Sequence, residues 1–438
     1  MDRLKVGVAE RVITPPVGVP MGGYALRPGP ARGVHDNLHA RALVLELGDN
    51  LAALVSLELL YPTPELVAEV RRIVRRELGI PEDRVMVSAV HTHSGPSALG
   101  IDSEPERGYL EEYWELLPAV VASAVLEARE RTLEATVRLG KGRLDGWTVN
   151  RRNPLAGPLD NEVLAVLFEG SQGPIAAIVN FACHAVVLGH NNLLISADYP
   201  GAAARVFERL TGAKTLFLSG ACGDVNPLTP GTALERVYDR SVGTFRDVEE
   251  MGTAVACEAV KSLMGRKPRE ASTIAAARSP IELETLELPV VAGEDVARLE
   301  EDLRRAIAAG EPVEPLRLKL ALSRWMAEVS MRVRARAVDG RIVTEVMALR
   351  VGEAVIVGLP GEPFVEVGML IKEASPAEFT AVAGYTNDPV GYIPTSQAYE
   401  EGGYEVAPPA CIVARGSAEK LAEEAVALLH RLYSGGVK

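Results

Sequence analysis

Residues 87–95 read VSAVHTHSG, and in this stretch an apolar run leads directly into His91-Thr92-His93. The run over 84–90 is typical of a buried strand. Because side chains at positions i and i+2 of a strand point to the same side, we expect His91 and His93 to face one site at the strand's C-terminal end, where α/β proteins bind their ligands. The stretch therefore predicts a metal-binding or catalytic site on an α/β scaffold.

The pattern on either side of this stretch alternates between strand-like and helix-like segments. Runs at 42–47 and 51–59 flank a Gly-Asp-Asn turn and predict a hairpin. Further strands are predicted at 84–90, 135–139, 163–168, 175–181, 215–218, 331–338, 341–351 and 354–358. Helices are predicted at 64–78, 109–129, 200–210 (capped by Asp198), 248–264, 293–309, 315–326 and 417–433. This alternation predicts an α/β protein with a mixed β-sheet core and flanking helices. We expect one catalytic domain over residues 1–438, with a change of pattern near 266.

The composition excludes several classes of protein. The 438 residues carry a formal net charge of -13, so neither nucleic acid nor an anionic membrane surface is expected as a partner. No apolar run reaches the eighteen residues of a membrane span, and the N-terminus lacks a signal-peptide pattern. We therefore expect a cytoplasmic protein. Its few glutamines and many arginines and glutamates are typical of a thermophile. None of the four cysteines forms a C-x-x-C pair, which excludes a zinc knuckle and a thioredoxin motif. A homo-oligomer is compatible with the sequence.

Three other segments carry candidate chemistry. Residues 178–190 (IVNFACHAVVLGH) again place a histidine, His184, at the end of a predicted strand, as suits a zinc ligand or a buried core histidine. Glu362 follows a strand and a Pro-Gly turn, where most glutamates are simply solvated. Residues 383–405 are rich in tyrosine, and such loops usually pack and hydrogen-bond.

Taken together and in order, these segments resemble the neutral (non-lysosomal) ceramidase family over nearly the whole chain. The residues that carry the resemblance are Ile13-Thr14-Pro15, 33–42 (GVHDNLHARA), 91–96 (HTHSGP), Asn150-Arg151, Cys183-His184, 195–199 (ISADY), 223–227 (GDVNP), Pro360-Gly361-Glu362 and the pair Tyr392 and Tyr404. The resemblance implies the fold of that family's catalytic domain and a hydrolase that binds one Zn²⁺ ion.

The resemblance also implies roles for individual residues. The implied metal ligands are His91, His184, Glu362 and Tyr392. His93 matches a histidine that stands beside the metal without binding it. Arg151 and Tyr404 match residues that contact the substrate amide.

These roles form a coherent reaction. Zinc lowers the pKa of a bound water to about 7, and the resulting hydroxide would attack the carbonyl of an N-acyl amine, ceramide-like or smaller. Arg151 and Tyr404 would stabilise the oxyanion, and His93 would protonate the leaving nitrogen. Asp198 and Asp224 are candidate partners that would orient the ligand histidines.

The sequence departs from the family at two places. Position 226 is asparagine in GDVNP, where the family usually has serine, and this disfavours a serine-nucleophile mechanism. No immunoglobulin-like C-terminal domain is expected after the last predicted helix. Together with the expected cytoplasmic location, these departures favour a smaller or more polar amide over ceramide.

Three alternatives remain open from sequence. A zinc-dependent esterase or lactonase would use the same activated water. A non-catalytic binding protein would retain the metal site without turnover. In an unrelated enzyme with core histidines, Ser219 or Cys222 would be the nucleophile candidates. The ligand types also admit other divalent ions.

Overall fold

Long apolar runs broken by glycine and charged turns form most of the strands of the protein. A computed structural model describes residues 2–97 and 108–435. Its strands are β1 (Lys5–Val12), β2 (Gly33–Val34), β3 (His39–Leu47), β4 (Asn50–Leu57), β5 (Val85–Ala89), β6 (Leu133–Glu134), β7 (Thr136–Arg143), β8 (Thr148–Asn150), β9 (Glu162–Gly170), β10 (Gly173–Phe181), β11 (Leu194–Ile195), β12 (Lys214–Ser219), β13 (Val225–Pro227), β14 (Ile274–Glu284), β15 (Arg341–Val351), β16 (Ala354–Gly358), β17 (Glu362–Pro363), β18 (Phe379–Ala383) and β19 (Tyr392–Ile393).

Helices cover the outer faces of these strands. They are α1 (Pro64–Leu78), α2 (Gly108–Glu130), α3 (Asp198–Thr211), α4 (Phe245–Leu263), α5 (Gly293–Ala309), α6 (Glu314–Arg336), α7 (Val365–Ala374), α8 (Ser396–Glu401) and α9 (Ser417–Tyr433). Helix α1 shows how sequence sets the ends: the Thr63 hydroxyl accepts the Leu66 N–H, and Gly79 closes the helix with a left-handed φ of 69°. In the described parts of the chain, no helix is long and apolar enough to cross a membrane.

Three larger sheets organise the fold. Their strand orders are β5-β4-β3-β1-β6, β12-β10-β9-β7 and β14-β15-β16-β18, and each combines parallel with antiparallel pairs. One apolar cluster draws on all three sheets and includes Leu54, Phe168 and Met347. The sheets therefore pack together centrally, with α1 and α2 beside the first, α3 and α4 beside the second, and α7 and α9 beside the third. The predicted mixed α/β class is confirmed.

Two sequence predictions about the region after residue 266 are wrong. Residues 331–336 of the strand predicted at 331–338 are instead the last part of α6, which runs ten residues beyond its predicted end at 326. The alternation of apolar and charged residues there imitates a strand, but Val329 and Val333 lie four apart on one helix face that lines a cavity.

Strand β14 was not predicted, because its sequence is rich in alanine and contains Pro280. The proline is tolerated because β14 is at the edge of its sheet.

The prediction that Asp198 caps the following helix is also wrong. Asp198 is the first residue of α3, and the capping position before it is occupied by Ala197. The Asp198 carboxylate instead accepts N–H groups from the backbone of Leu188 at 3.0 Å and Tyr199 at 2.7 Å. Asp198 therefore ties the loop after His184 to the start of α3.

Candidate metal centre

His91 enters the site from a strained turn rather than from a strand. Strand β5 ends at Ala89, and His91 has a φ of 65°, a conformation uncommon for a residue other than glycine. Its Nδ1 lies 2.9 Å from the carbonyl oxygen of Leu60. Because a carbonyl oxygen can only accept, Nδ1 carries the proton and Nε2 presents a lone pair. His91 and His93 still converge, with 3.1 Å between their Nε2 atoms.

His184 approaches the same point from the end of β10. Its backbone N–H bonds to Val225, and its Nδ1 lies 2.6 Å from the carbonyl oxygen of Cys222. This side chain is fully buried. Burial, with a further contribution from the Arg151 guanidinium, lowers the pKa of His184 to about 4. His184 is therefore neutral near pH 7 and directs the lone pair of Nε2 inward.

Glu362 supplies the negative charge of the site. Its Oε2 lies 3.1 Å from Nε2 of His184 and 3.3 Å from Nε2 of His91. Burial acts to raise the pKa of this carboxyl, but the positive charge that the two imidazoles carry when protonated outweighs it and holds the pKa well below its ordinary value. The preceding Gly361 has a φ of 61°, and a Cβ there would lie 2.4 Å from the Gly391 carbonyl oxygen. Only glycine allows this close turn.

The donor set fits a divalent cation. Two imidazole lone pairs and a carboxylate oxygen point at one another, and both Nδ1 protons are already donated to carbonyl groups. Three acceptors in contact repel one another unless a positive charge lies between them. Histidine nitrogens with a carboxylate are the ligands that zinc prefers. One ring nitrogen from each of His91, His93 and His184 also lies within 4.8 Å of the other two.

His93 stands beside this point in a different environment. Its ring packs edge-on against Tyr24, and its Nδ1 has no hydrogen-bond partner among the residues that the structure describes. Burial, together with the neighbouring His91 and His184, lowers the pKa of His93 well below its ordinary value. Gly23 provides the space, because a Cβ at that position would lie 2.4 Å from the His93 ring.

Tyr392, Arg151 and Tyr404 form a hydrogen-bonded chain next to the metal centre. Nη2 of Arg151 donates to the Tyr392 hydroxyl at 3.0 Å, and the Tyr392 and Tyr404 hydroxyls are 3.3 Å apart. Tyr392 and Glu362 are register partners in the short parallel pair β17–β19. Tyr404 is 47% exposed, but the protein groups around its hydroxyl keep water from it and raise its pKa to about 12, so the hydroxyl keeps its proton at neutral pH. The structure thus brings all seven residues of the predicted site into one region.

The site opens into a cavity of about 700 Å³. Its polar end contains the metal centre and Arg151, and its other walls are mostly apolar. The apolar lining includes Leu26, Val186, Leu318, Trp325, Val329, Val333, Ile342, Val390 and Ile412. Helix α6 therefore forms one wall with a single face, whose members recur at helical spacing. Such a cavity suits a ligand with one polar and one apolar part.

Several site residues were not found from sequence. Tyr61 donates its hydroxyl hydrogen to Oε1 of Glu362. It follows β4, the parallel neighbour of β5, so a polar residue after an adjacent parallel strand was the available signal. Glu405 is fully buried, and its Oε1 accepts a hydrogen bond from Nε of Arg151 at 3.0 Å. Tyr385 stacks on His91 with ring centroids 4.0 Å apart. Glu405 and Tyr385 both lie in the tyrosine-rich segment 383–405 that the sequence predicted as a candidate, but its pattern did not single out either residue.

The partners suggested for the histidines were wrong. Asp224 accepts from the Val365 N–H at 2.9 Å and from the Asn150 amide at 2.7 Å, and Asp198 binds backbone N–H groups as described above. Backbone carbonyls orient the histidines instead. The two alternative nucleophiles, Ser219 and Cys222, are fully buried. The Ser219 hydroxyl donates to the Val90 carbonyl oxygen, and the Cys222 thiol contacts the Tyr385 hydroxyl.

The fold and the site together define a mixed α/β protein with a buried histidine–carboxylate centre at the edges of its sheets. Residues 4–241 match the family described as neutral/alkaline non-lysosomal ceramidase, N-terminal. The chain belongs to this family, as its sequence motifs predicted.

Individual relatives and a solved structure agree with this assignment. The chain is 25% identical over 455 residues to neutral ceramidase of Mycobacterium tuberculosis, covering 88% of this chain and 70% of that protein. It is 30% identical over 223 residues to neutral ceramidase 2 of Arabidopsis thaliana, covering 46% of this chain but only 30% of the relative. The crystal structure of neutral ceramidase from Pseudomonas aeruginosa superposes with a TM-score of 0.77 at 19% identity, covering 99% of this chain and 75% of that one. This last likeness establishes the fold.

Proposed function

We propose that this protein is a zinc-dependent hydrolase that cleaves the amide bond of an N-acyl amine, with His91, His184, Glu362 and Tyr392 as the metal ligands. The observation that carries the proposal is the convergence of Nε2 of His91, Nε2 of His184 and Oε2 of Glu362, while Nδ1 of both histidines is bound to a backbone carbonyl oxygen. A zinc ion bound there would activate water and polarise the carbonyl group. The relatives named above are neutral ceramidases, which supports the amide-hydrolase class.

The neighbouring side chains have the chemistry that the remaining steps require. Arg151 and Tyr404 are hydrogen-bond donors beside the Tyr392 hydroxyl, where the carbonyl oxygen would develop negative charge. His93 would take a proton from the attacking water and pass it to the amine nitrogen, since an unprotonated amide nitrogen leaves poorly. The apolar walls of the cavity would hold the acyl chain.

The same proposal treats residues 1–438 as one catalytic domain. His91 and His184 come from the first two sheets, whereas Glu362 and Tyr392 come from the segment after residue 266. Neither part alone contains the proposed ligand set, so we expect separate expression of the two parts to abolish metal binding.

Metal content tests the proposal together with hydrolysis of a panel of N-acetyl to N-hexadecanoyl amines. Wild-type protein should hold about one zinc per chain and cleave at least one amide. His91→Ala and Glu362→Ala should lose both properties, whereas His430→Ala, which removes an exposed histidine from α9, should keep both. Wild type without bound metal, or activity that survives in Glu362→Ala, would contradict the proposal.

A further inference from the structure

Asn226 joins Arg151 to a second wall of the cavity. It lies in β13, which pairs with β8, the strand immediately before Arg151. Its Oδ1 accepts from Nη1 of Arg151 at 3.2 Å, and its Nδ2 donates to the Val237 carbonyl oxygen at 3.2 Å. The side chain is 2% exposed and lines the cavity. Rotating the amide would set donor against donor and acceptor against acceptor, so the two contacts fix its orientation.

The hydrogen bonds of Arg151 leave one donor over. A guanidinium has five N–H groups. Nε donates to Glu405, and Nη2 donates to the Gly223 carbonyl oxygen at 2.6 Å and to the Tyr392 hydroxyl. Nη1 gives one hydrogen to Asn226. Among the residues that the structure describes, its second hydrogen has no acceptor, and Arg151 lines the cavity.

We propose that Asn226 is a positioning residue that selects this remaining Nη1 hydrogen as the donor to the substrate's carbonyl oxygen. The inference rests on the proposed amide-hydrolase function. The neutral carboxamide of Asn226 has a single acceptor oxygen. It therefore accepts one Nη1 hydrogen of Arg151 and leaves the other free to bind the substrate. A carboxylate at this position could chelate the guanidinium through both oxygens and would repel the Val237 carbonyl. The chemistry thus favours asparagine over aspartate here.

A double-mutant cycle tests whether Asn226 acts through Arg151. Asn226→Ala should lower kcat/KM for the best amide of the panel about 10- to 100-fold, mainly through kcat, because a misplaced donor weakens the transition state. In an Arg151→Ala background the same change should cost less than about twofold. Asn226→Asp, which keeps the size of the side chain, should lose activity like Asn226→Ala. Equal losses in both backgrounds, or full activity in Asn226→Asp, would overturn the proposal.

Asn161→Ala is the matched control. Asn161 is a buried asparagine on the adjacent loop whose amide bonds Thr148 and Asp145, and it does not line the cavity. It should retain wild-type kcat/KM, and its loss of stability in a thermal melt gives the baseline for removing a buried asparagine. A kcat/KM loss in Asn161→Ala as large as that in Asn226→Ala would overturn the specific role of Asn226.

A measurement without turnover separates this inference from the proposed function. The Nε–H signal of Arg151, assigned by its absence in Arg151→Lys, reports the order of the guanidinium in a ¹H–¹⁵N spectrum. It should shift or broaden in Asn226→Ala and Asn226→Asp and stay unchanged in Asn161→Ala. If wild type cleaves no amide, the hydrolase proposal fails while this spectrum still tests the positioning of Arg151. An unchanged signal in both Asn226 variants would overturn the inference.

Discussion

Tyr61 donates its hydroxyl hydrogen to Oε1 of Glu362, so only Oε2 of that carboxylate faces the two histidines. Tyr61 lies in the connection between β4 and α1, Glu362 begins β17, and 301 positions of the chain separate the two residues. Burial, and then the Glu362 charge, raises the pKa of Tyr61 well above its ordinary value, which keeps the hydroxyl protonated as a donor. Tyr61 therefore orients the carboxylate that we propose as a metal ligand.

Removing this hydroxyl should weaken metal binding. Residues that orient a metal ligand typically contribute a factor of about 10 to 100 in metal affinity. Tyr61→Phe should therefore lose zinc at a chelator concentration about 10 to 100 times lower than wild type does. Tyr113→Phe is the control, because its hydroxyl donates to the Ile13 carbonyl oxygen, outside the cavity. Equal zinc affinity in the two variants would show that Tyr61 does not orient Glu362.

His93→Ala separates amide hydrolysis from ester hydrolysis. Because an amine needs a proton to leave and 4-nitrophenolate does not, amide cleavage should fall about 10²- to 10⁴-fold while cleavage of a 4-nitrophenyl ester falls much less. Zinc content should stay near one per chain, as in a His430→Ala control. Equal losses on both substrates would remove the protonation role. Loss of zinc would instead make His93 a ligand, as its distances to His91 and His184 permit.

Acyl-chain preference should depend on Trp325. This side chain lines the cavity from α6, so Trp325→Ala removes a large apolar surface from the chain-binding wall. We expect KM for an N-dodecanoyl substrate to rise about tenfold, with little change for an N-acetyl substrate. Leu322→Ala, on the same helix but outside the cavity lining, should change neither KM. Parallel changes for both substrates would place the acyl chain elsewhere.

The free energy of unfolding at acid pH should depend on the charge of the buried Glu58. Burial acts to raise the pKa of this carboxyl, but Arg41 and His39 outweigh it and lower the pKa to about 2, from an ordinary 4.5. A lowered folded-state pKa stabilises the protein above pH 4.5, and this contribution is lost as pH falls from 4.5 toward 2. Glu58→Gln should therefore lower the free energy of unfolding at pH 6 by about 3 kcal/mol, and less near pH 3.

Urea unfolding at several pH values between 6 and 3 measures this effect. Glu69→Gln provides a comparison, because Glu69 pairs with Arg72 on the exposed face of α1 and its removal should leave the unfolding curve unchanged. A Glu58→Gln variant whose deficit is the same at pH 6 and pH 3 would show that the charge of Glu58 is not what stabilises the fold.

Local sequence was sufficient where the physics is local. The ends of α1 follow from the capping residues Thr63 and Gly79. Helices α5 and α9 follow from helical spacing, and β15 and β16 follow from apolar runs, because each signal lies within a few residues. Prediction from local sequence failed at residues 331–336, where the pattern fits either a strand or a helix. Only the packing of this segment beside the cavity selects the helix. The capping role predicted for Asp198 failed because a distant loop competes for its carboxylate.

The sequence by itself determined the fold class, the family and the residue types of the candidate site, since His91 and His184 both follow apolar strands and the motifs occur in order. Only the tertiary structure decided that Tyr61 supports Glu362, that Glu405 and Asn226 hold Arg151, and that α6 lines the cavity. The physical reason is distance along the chain. Hydrogen bonds and charge pairs between remote segments depend on how three sheets pack together, and no local pattern of residues records that packing.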